Sequence, residues 1–268
     1  MSIRQAIDRH LSRVGSFIYL RLPFKPEHVG LTEEQLGRLA SPDAADAFQV
    51  PALPVDPSLA FDIGTYSGNS IERLESLGYS KIICLEANPL VFRTLRRKLR
   101  HSRTHAAIRR AASDIDGEDI SFVVDVNHPW LSTADPTWMT NPRHAPLFTQ
   151  TLSVRANTIT LDSLISVIGS MPSYIKIDVE GYEPAVLRGL SRRPKILSFE
   201  WVSESPARNC DNVLGAERLG FTQFTPMVEE EAPSANTPRM TSTDCCTYFH
   251  QVSLRGSRKG GWGNVWCW

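Results

Sequence analysis

Short apolar runs ending in a carboxylate alternate along this chain with segments of helical period. The first run, around Leu59, delivers Asp62 at its carboxyl end and passes at once into Gly64-x-x-x-Gly68. Such a backbone turns sharply and lets a ligand approach closely, and glycine permits both. Asn69 and Glu72 are spaced as a capping box, Ile71, Leu74 and Leu77 share one helical face, and Gly78 stops the helix. A second strand, Lys81 to Leu85, ends in Glu86. Asn88 as cap and Pro89 in the first turn then open another helix. Strands are expected at Ala106 to Ala112 and Ile120 to Val126, with Asp116-Gly117 as a hairpin turn between them, and at Ser153 to Ala156. A helix follows around Leu161 to Ile168. The stretch SYIKIDVEGYEP, Ser173 to Pro184, places Ile175, Ile177 and Val179 on one face and Lys176, Asp178 and Glu180 towards the other. Glu183-Pro184 starts a helix with Val186, Leu187 and Leu190 inward, and Lys195 to Phe199 ends in Glu200. Phe221 to Thr225 and Thr247 to Ser253 are expected to close the sheet as an antiparallel pair at one edge.

Alternating strands and helices of this kind describe an α/β fold with a mostly parallel sheet. Residues 1–57 are expected to form a helical appendage and linker: Ile3, Ile7, Leu11 and Val14 are helically spaced, Thr32 with Gln35 reads as a second capping box, Ser41-Pro42 as the start of a short helix, and Pro51, Pro54 and Pro57 as a stiff connector. Residues 58–268 form the main domain. Within it, 127–150 holds four prolines, two tryptophans and two histidines with no usable period. A structureless stretch of that length with those aromatics is a candidate substrate lid. The Trp-rich tail, 256–268, is expected to dock over the pocket or in a homodimer contact, because tryptophans are unfavourable in water unless covered.

Composition narrows the function. Lys+Arg and Asp+Glu are both 29, so no global field draws nucleic acid or an anionic membrane. The cations Arg93, Arg96, Arg97, Lys98, Arg100 and Arg103 gather near one helix end, where they suit the helix dipole or hold an anionic substrate. Five cysteines without a C-x-x-C pair read as free thiols in a reducing, cytoplasmic setting. No run reaches the ~20 apolar residues that span a bilayer, so no stable membrane insertion is expected.

The acids specify the ligand class. In open α/β sheets ligands bind outside the carboxyl ends of the strands. Asp62, Glu86, Asp178 and Glu200 would all emerge there. Glu86 stands where such sheets place the carboxylate that holds a ribose. A dinucleotide site calls for G-x-G-x-x-G facing a pyrophosphate. The pattern here is D-x-G-x-x-x-G, and Asp62 would repel a pyrophosphate. S-adenosylmethionine carries an ammonium, a sulfonium and a ribose but no phosphate, and fits better. A nicotinamide-dependent oxidoreductase is the weaker alternative. Asp114 either meets the adenine amine or shapes the turn beside it. Lys176 and Asp178 either form a buried structural pair or belong to the site, and His128 and His144 are either surface loop residues or catalytic. Ser132 and Thr133 either hydrogen-bond a ligand or cap the local backbone.

FDIGTYSGNS, CLEANP, TITLDSL, YIKIDVEGYEPAVLRGL and KILSFEW together resemble the FkbM family of S-adenosylmethionine-dependent methyltransferases, over roughly Leu59 to Trp201. The resemblance implies a class I methyltransferase (Rossmann-like) fold with a seven-stranded sheet and helices on both faces. It also implies methyl transfer to a hydroxyl of a sugar, glycolipid or natural product. Family members commonly carry alanine and asparagine where this chain has Thr65 and Tyr66. On this reading Asp62 takes the methionine ammonium, Gly64 and Gly68 let the cofactor sit close, Glu86 holds the ribose and Asp114 the adenine, with Tyr66, Asn69, Ala87 and Asp178 also at the cofactor. Asp178 lies nearest the methyl, Glu180 is the base with His128 in reserve, and Lys176 accompanies them. No metal is required, although Asp178, Glu180 and Glu200 could offer oxygens to magnesium or calcium. A non-catalytic protein that binds S-adenosylmethionine is the remaining alternative.

Overall fold

In the computed structural model of the chain, residues 54–255 and 261–268 are described. The expected N-terminal helices, Pro51 and the first part of the Trp-rich tail lie outside those residues. Strand β1 (Val55–Ile63) is buried only from Leu59 onward. Pro57 therefore lies inside a strand rather than in a connector. Its place coincides with a register shift against the neighbouring strand between Asp56 and Ala60, a position where a strand tolerates proline.

After β1 come α1 (Ile71–Ser76), β2 (Lys81–Leu85), α2 (Pro89–Leu99), β3 (His105–Ile108), β4 (Ala111–Ala112), β5 (Asp119–Asp125) and β6 (Thr151–Ile159). They are followed by α3 (Leu161–Ile168), β7 (Met171–Ile177), α4 (Glu183–Arg188), β8 (Ile196–Val202), α5 (Pro206–Arg218), β9 (Phe224–Val228), α6 (Ser242–Arg255) and β10 (Trp262–Cys267). Seven strands form the main sheet in the order β3-β2-β1-β7-β8-β10-β9, with β10 antiparallel to both neighbours and the other pairings parallel. This is the topology of a class I methyltransferase. A smaller sheet, β4-β6-β5, stands beside it.

Strand alternation sorts the core. Phe61, Ile63, Ile83, Leu85, Ile175 and Ile177 pack with apolar residues of α3 to α6, whereas Ala60, Ile82, Cys84 and Tyr174 pack with α1 and α2. The larger cluster is the main source of stability, at roughly 25 cal/mol per Å² of apolar surface withdrawn from water. Among the described residues no helix is long and apolar enough to cross a membrane.

Several expected elements differ. Asn69 does not cap α1: the cap is Ser70, whose side chain turns instead to Asp62. Asn88 does cap α2, accepting from Leu90 N at 3.0 Å. The single strand expected at Ala106 to Ala112 is divided between the two sheets. Asp116-Gly117 is not a hairpin, because β4 and β5 do not pair; they flank β6. The Asp116 carboxylate accepts instead from Thr160 and Ser163 at the start of α3. Strand β8 runs on to Val202, so Glu200 and Trp201 lie within it. Residues 247–253 are helical, since Cys245, Phe249 and Val252 recur at helical spacing on the core side of α6. The closing strand is the Trp-rich segment itself, inserted between β8 and β9. Trp266 is covered by stacking on Tyr174, with ring centroids 5.3 Å apart.

Candidate active site

The loop after β1 is tied to its neighbours through the backbone. Gly64 N and Thr65 N both donate to Leu85 O at the end of β2, and Asp178 N donates to Ile63 O. Gly64 has φ 81°, and a β-carbon there would stand 1.7 Å from the Asp178 carbonyl oxygen. Its bareness brings the ends of β1 and β7 together. Gly68, by contrast, faces Ile71 and Leu95, so it serves the packing of α1 on α2.

A cavity of about 650 Å³ opens over these strand ends, a size suited to a nucleoside-class ligand. Glu86 on its wall is 7% exposed. Its two oxygens accept from Tyr66 N at 2.8 Å and Asn88 N at 2.6 Å, which leaves lone pairs free for ribose hydroxyls. Burial pushes its carboxyl up to about 7, against those two backbone bonds. Ala87, Ala111, Ala112 and Phe122 give the cavity an apolar wall, and Tyr66 and Asn69 also line it.

Asp62 is fully buried behind Ser70, whose hydroxyl donates to Oδ2 at 2.5 Å; Oδ1 has no partner. Burial raises its carboxyl, and Lys176, its register neighbour on β7, opposes the rise. Lys176 lines the cavity and pairs with Asp178 Oδ2 at 2.6 Å. Burial alone would lower the Lys176 ammonium, but Asp178 and Asp62 hold it above its ordinary value.

Beyond this pair, one oxygen each of Asp178, Glu180 and Glu200 lies within 4.8 Å of the others, three carboxylates converging on one cavity wall. Burial first, then the neighbouring acids, pushes Glu180 and Glu200 well above the usual carboxylate range. Trp138 Nε1 donates to Glu180 Oε2 at 3.0 Å.

The segment 127–150 walls the cavity through Pro129, Trp130, Leu131, Ser132, Arg143 and His144. It is built of three short 3-10 turns, Pro129–Leu131, Trp138–Thr140 and Ala145–Leu147. It is pinned by Thr133 Oγ1 to Glu180 O, by Asn141 to Ser205 and by Arg208 to Asp135. The Ser132 hydroxyl donates to Pro129 O, so it serves the local backbone.

Of its two histidines, His128 lies off the cavity, with Nδ1 bonded to Leu147 O at 3.0 Å. His144 is in it: 7% exposed, its ring 4.7 Å from that of Trp138, its Nδ1 enclosed and without a partner. Burial, reinforced by Arg143, lowers His144 to about 4.

The structure thus gathers Gly64, Tyr66, Asn69, Glu86, Ala87, Lys176, Asp178, Glu180 and Glu200 on one cavity and sets Asp62 directly beneath it. It leaves Gly68, Asp114 and His128 outside. Asp114 is engaged by Arg188 at 2.8 Å; partial burial would raise its carboxyl, but this bond lowers it. Sequence reasoning missed Ser70, Trp138 and the difference between the two histidines. Two tryptophans in a segment without period were the only signal.

Sheet order and cavity together define a class I methyltransferase, whose methyl donor is S-adenosylmethionine. Residues 62–222, well over half of the chain, match the Methyltransferase FkbM domain, and the chain belongs to that family. A search of curated proteins finds no match. Among solved structures, it is similar to precorrin-6y C5,15-methyltransferase from Geobacter metallireducens, with 11% identity, 88% of each chain covered and a TM-score of 0.37. It is also similar to Aeropyrum pernix fibrillarin with natively bound S-adenosyl-L-methionine, at 12% identity, 81% of this chain and 69% of that one, and a TM-score of 0.40.

Proposed function

We propose that the protein methylates a hydroxyl oxygen of a sugar, glycolipid or related natural product. The observation that carries this reading is His144: a buried imidazole whose Nδ1 has no hydrogen-bond partner, on the same cavity as the doubly anchored Glu86. Two tryptophans on the cavity wall, the half-exposed Trp130 and Trp262, offer flat apolar faces of the kind that pack on sugar C–H groups.

Glu86 would hold the ribose of S-adenosylmethionine through its free lone pairs, and Ala87, Ala111, Ala112 and Phe122 would enclose the base. Asp178, paired with Lys176, faces the methionine end, with Asp62 supporting it from below through Ser70. When bound, S-adenosylmethionine supplies an electrophilic methyl on a sulfonium, for in-line displacement. The chain's own work is alignment and proton acceptance. Alignment of two reactants is worth roughly 7 to 11 kcal/mol, and a positioned base about 3 to 5 kcal/mol.

Glu180 suits the base role less well, because burial and the neighbouring acids favour its neutral form and one of its oxygens already accepts from Trp138 Nε1. His144 is neutral at neutral pH and lines the cavity, so it is the residue assigned to take the hydroxyl proton as the new oxygen–carbon bond forms. Glu180 in its protonated form can donate to the acceptor.

Titration calorimetry with S-adenosylhomocysteine, with NAD run in parallel, tests the cofactor half; binding of NAD alone would refute it. Incubation with methyl-labelled donor and a panel of glycosides and glycolipids tests the acceptor half. Label on nitrogen or carbon rather than oxygen would refute it.

A further inference from the structure

The outer face of α2 and the cavity rim beside it carry charge and apolar surface that methyl transfer does not use. From Ala87 to Ser113 the chain contains no Asp or Glu, while Arg93, Arg97, Arg100 and Arg103 are all exposed. Arg93, Arg97 and Arg100, the last at the C-cap, recur at i, i+4 and i+7 and so form one row along the helix. Among the described residues, the one ion pair made by a cation of α2 is that of Lys98 with Glu72, at 3.6 Å on the surface. The row is a local positive field on a chain whose net charge is zero. The exposed acids Glu229, Glu230 and Glu231 follow β9, the opposite edge strand of the sheet from β3, and Glu230 is taken up by Arg73 at 3.2 Å.

Leu90, also exposed, stands three residues before Arg93 at the head of that row. The N-cap of α2 ties it to the cavity rim. Asn88 Oδ1 accepts from Leu90 N at 3.0 Å, and Asn88 Nδ2 donates to Pro129 O at 3.4 Å and to Ser132 Oγ at 3.0 Å. Trp130, next after Pro129, is 48% exposed, and its ring lies 5.1 Å from that of His128. His128 Nδ1 is in turn bonded to the carbonyl of the exposed Leu147. Trp130 and Leu147 both line the cavity. One indole and two aliphatic side chains therefore stand out from the surface where the arginine row reaches the cavity mouth.

An exposed indole with aliphatic neighbours and a row of unpaired guanidiniums matches a bilayer interface: the apolar groups enter the headgroup layer and the cations meet anionic lipid. A nucleic-acid backbone would use the row alone and leave Leu90 and Leu147 in water. We propose that this face docks the protein reversibly on an anionic lipid surface, with the cavity mouth opening onto the headgroups, and that its acceptor is the sugar of a glycolipid. The choice of acceptor rests on the sugar-methylation reading above, whereas the docking rests on the surface alone. The contact is peripheral, since no helix among the described residues is long and apolar enough to cross a membrane.

The test is sedimentation of the full chain with vesicles of phosphatidylcholine alone and of equal parts phosphatidylcholine and phosphatidylglycerol. The protein should partition onto the anionic vesicles and leave them as salt is raised. Arg93→Gln combined with Arg97→Gln should weaken that partitioning by about 25-fold, and Leu90→Ser should weaken it further, while calorimetric binding of S-adenosylhomocysteine stays at the wild-type value. Wild-type protein that binds neither vesicle, or both equally, overturns the proposal, as does undiminished partitioning of the double variant. Tighter binding to single-stranded RNA than to anionic vesicles also overturns it and makes the row a nucleic-acid surface. These outcomes involve no acceptor, so they stand apart from the question of which atom is methylated. Labelled donor with a glycolipid carried in anionic vesicles then tests the acceptor. Transfer should fall in the double arginine variant, which should still methylate a short soluble glycoside at the wild-type rate. Label on soluble glycosides but none on vesicle-borne glycolipid overturns the docking and leaves oxygen methylation standing.

Discussion

The indole of Trp138, from a segment with no secondary-structure period, donates to the carboxylate of Glu180 on the loop after β7. That bond opposes the burial and the neighbouring acids that push the Glu180 carboxyl up. Trp138→Phe keeps an aromatic ring in place and removes the donor. Losing a bond to a half-buried acid should lower the unfolding free energy by about 1 to 3 kcal/mol, read from urea denaturation, while affinity for S-adenosylhomocysteine stays near wild type. An unchanged urea midpoint would mean that the bond contributes nothing to holding the segment down.

His144 and His128 share that segment, but the structure separates them. His144→Ala should leave S-adenosylhomocysteine binding intact and reduce methyl transfer by about 10² to 10⁴-fold. His128→Ala, off the cavity, should retain turnover. The reverse pattern in label-transfer rates would transfer the base role to His128.

Gly64 and Gly78 both have positive φ, but their surroundings differ. A β-carbon on Gly64 meets the Asp178 carbonyl oxygen at 1.7 Å, whereas one on Gly78 meets nothing within 4 Å. Gly78→Ala should cost about 1 kcal/mol from backbone conformation alone. Gly64→Ala should force β1 and β7 apart at the cavity floor and abolish S-adenosylhomocysteine binding by calorimetry. Equal melting temperatures for the two variants would contradict this contrast.

Stability should fall as pH rises from about 5 to 7.5. Burial raises Glu86 and Glu183 to about 7, and raises Glu180 and Glu200 as well. Between the unfolded and folded values of such a carboxyl the native state holds the extra proton, so each step up in pH favours unfolding. His144 works in the other sense: lowered to about 4, it favours the native state as pH rises towards its unfolded value. Four carboxyls outweigh one imidazole, with about 1 to 3 kcal/mol expected from each of Glu86 and Glu183. Urea unfolding across this range measures the slope, which Glu183→Gln should make shallower.

The convergence of Asp178, Glu180 and Glu200 invites a magnesium test. Asp178 is already paired with Lys176, and Glu180 with the Trp138 indole. Turnover should therefore be unchanged by millimolar magnesium or calcium; a rate that rises in proportion to added magnesium would make the three acids a metal site.

Much of the fold was legible along the chain because it rests on local rules. Short apolar runs ending in a carboxylate placed β1, β2, β7 and β8, the Asn88-Pro89 pair opened α2, and the glycines after Asp62 marked the turn over which the cavity forms. Motif similarity extended this to the family, and the match over residues 62–222 bears it out. The places where local reading failed are those where a distant partner overrode it. Residues 247–253 alternate well enough to read as a strand, but the core behind α6 rewards the helical spacing of Cys245, Phe249 and Val252. The Trp-rich segment read as a tail, yet it fills the gap between β8 and β9, where its backbone hydrogen bonds find partners on both sides.

The sequence by itself determined the alternation of strands and helices, the acids at or near the strand ends and the family, since each depends on residues close together in the chain. Only the tertiary structure decided which of those acids burial pushes towards the neutral form, which histidine lines the cavity, and that Asp114 is held by Arg188. Burial and opposing charge come from segments tens of residues apart, and no spacing along the chain encodes them.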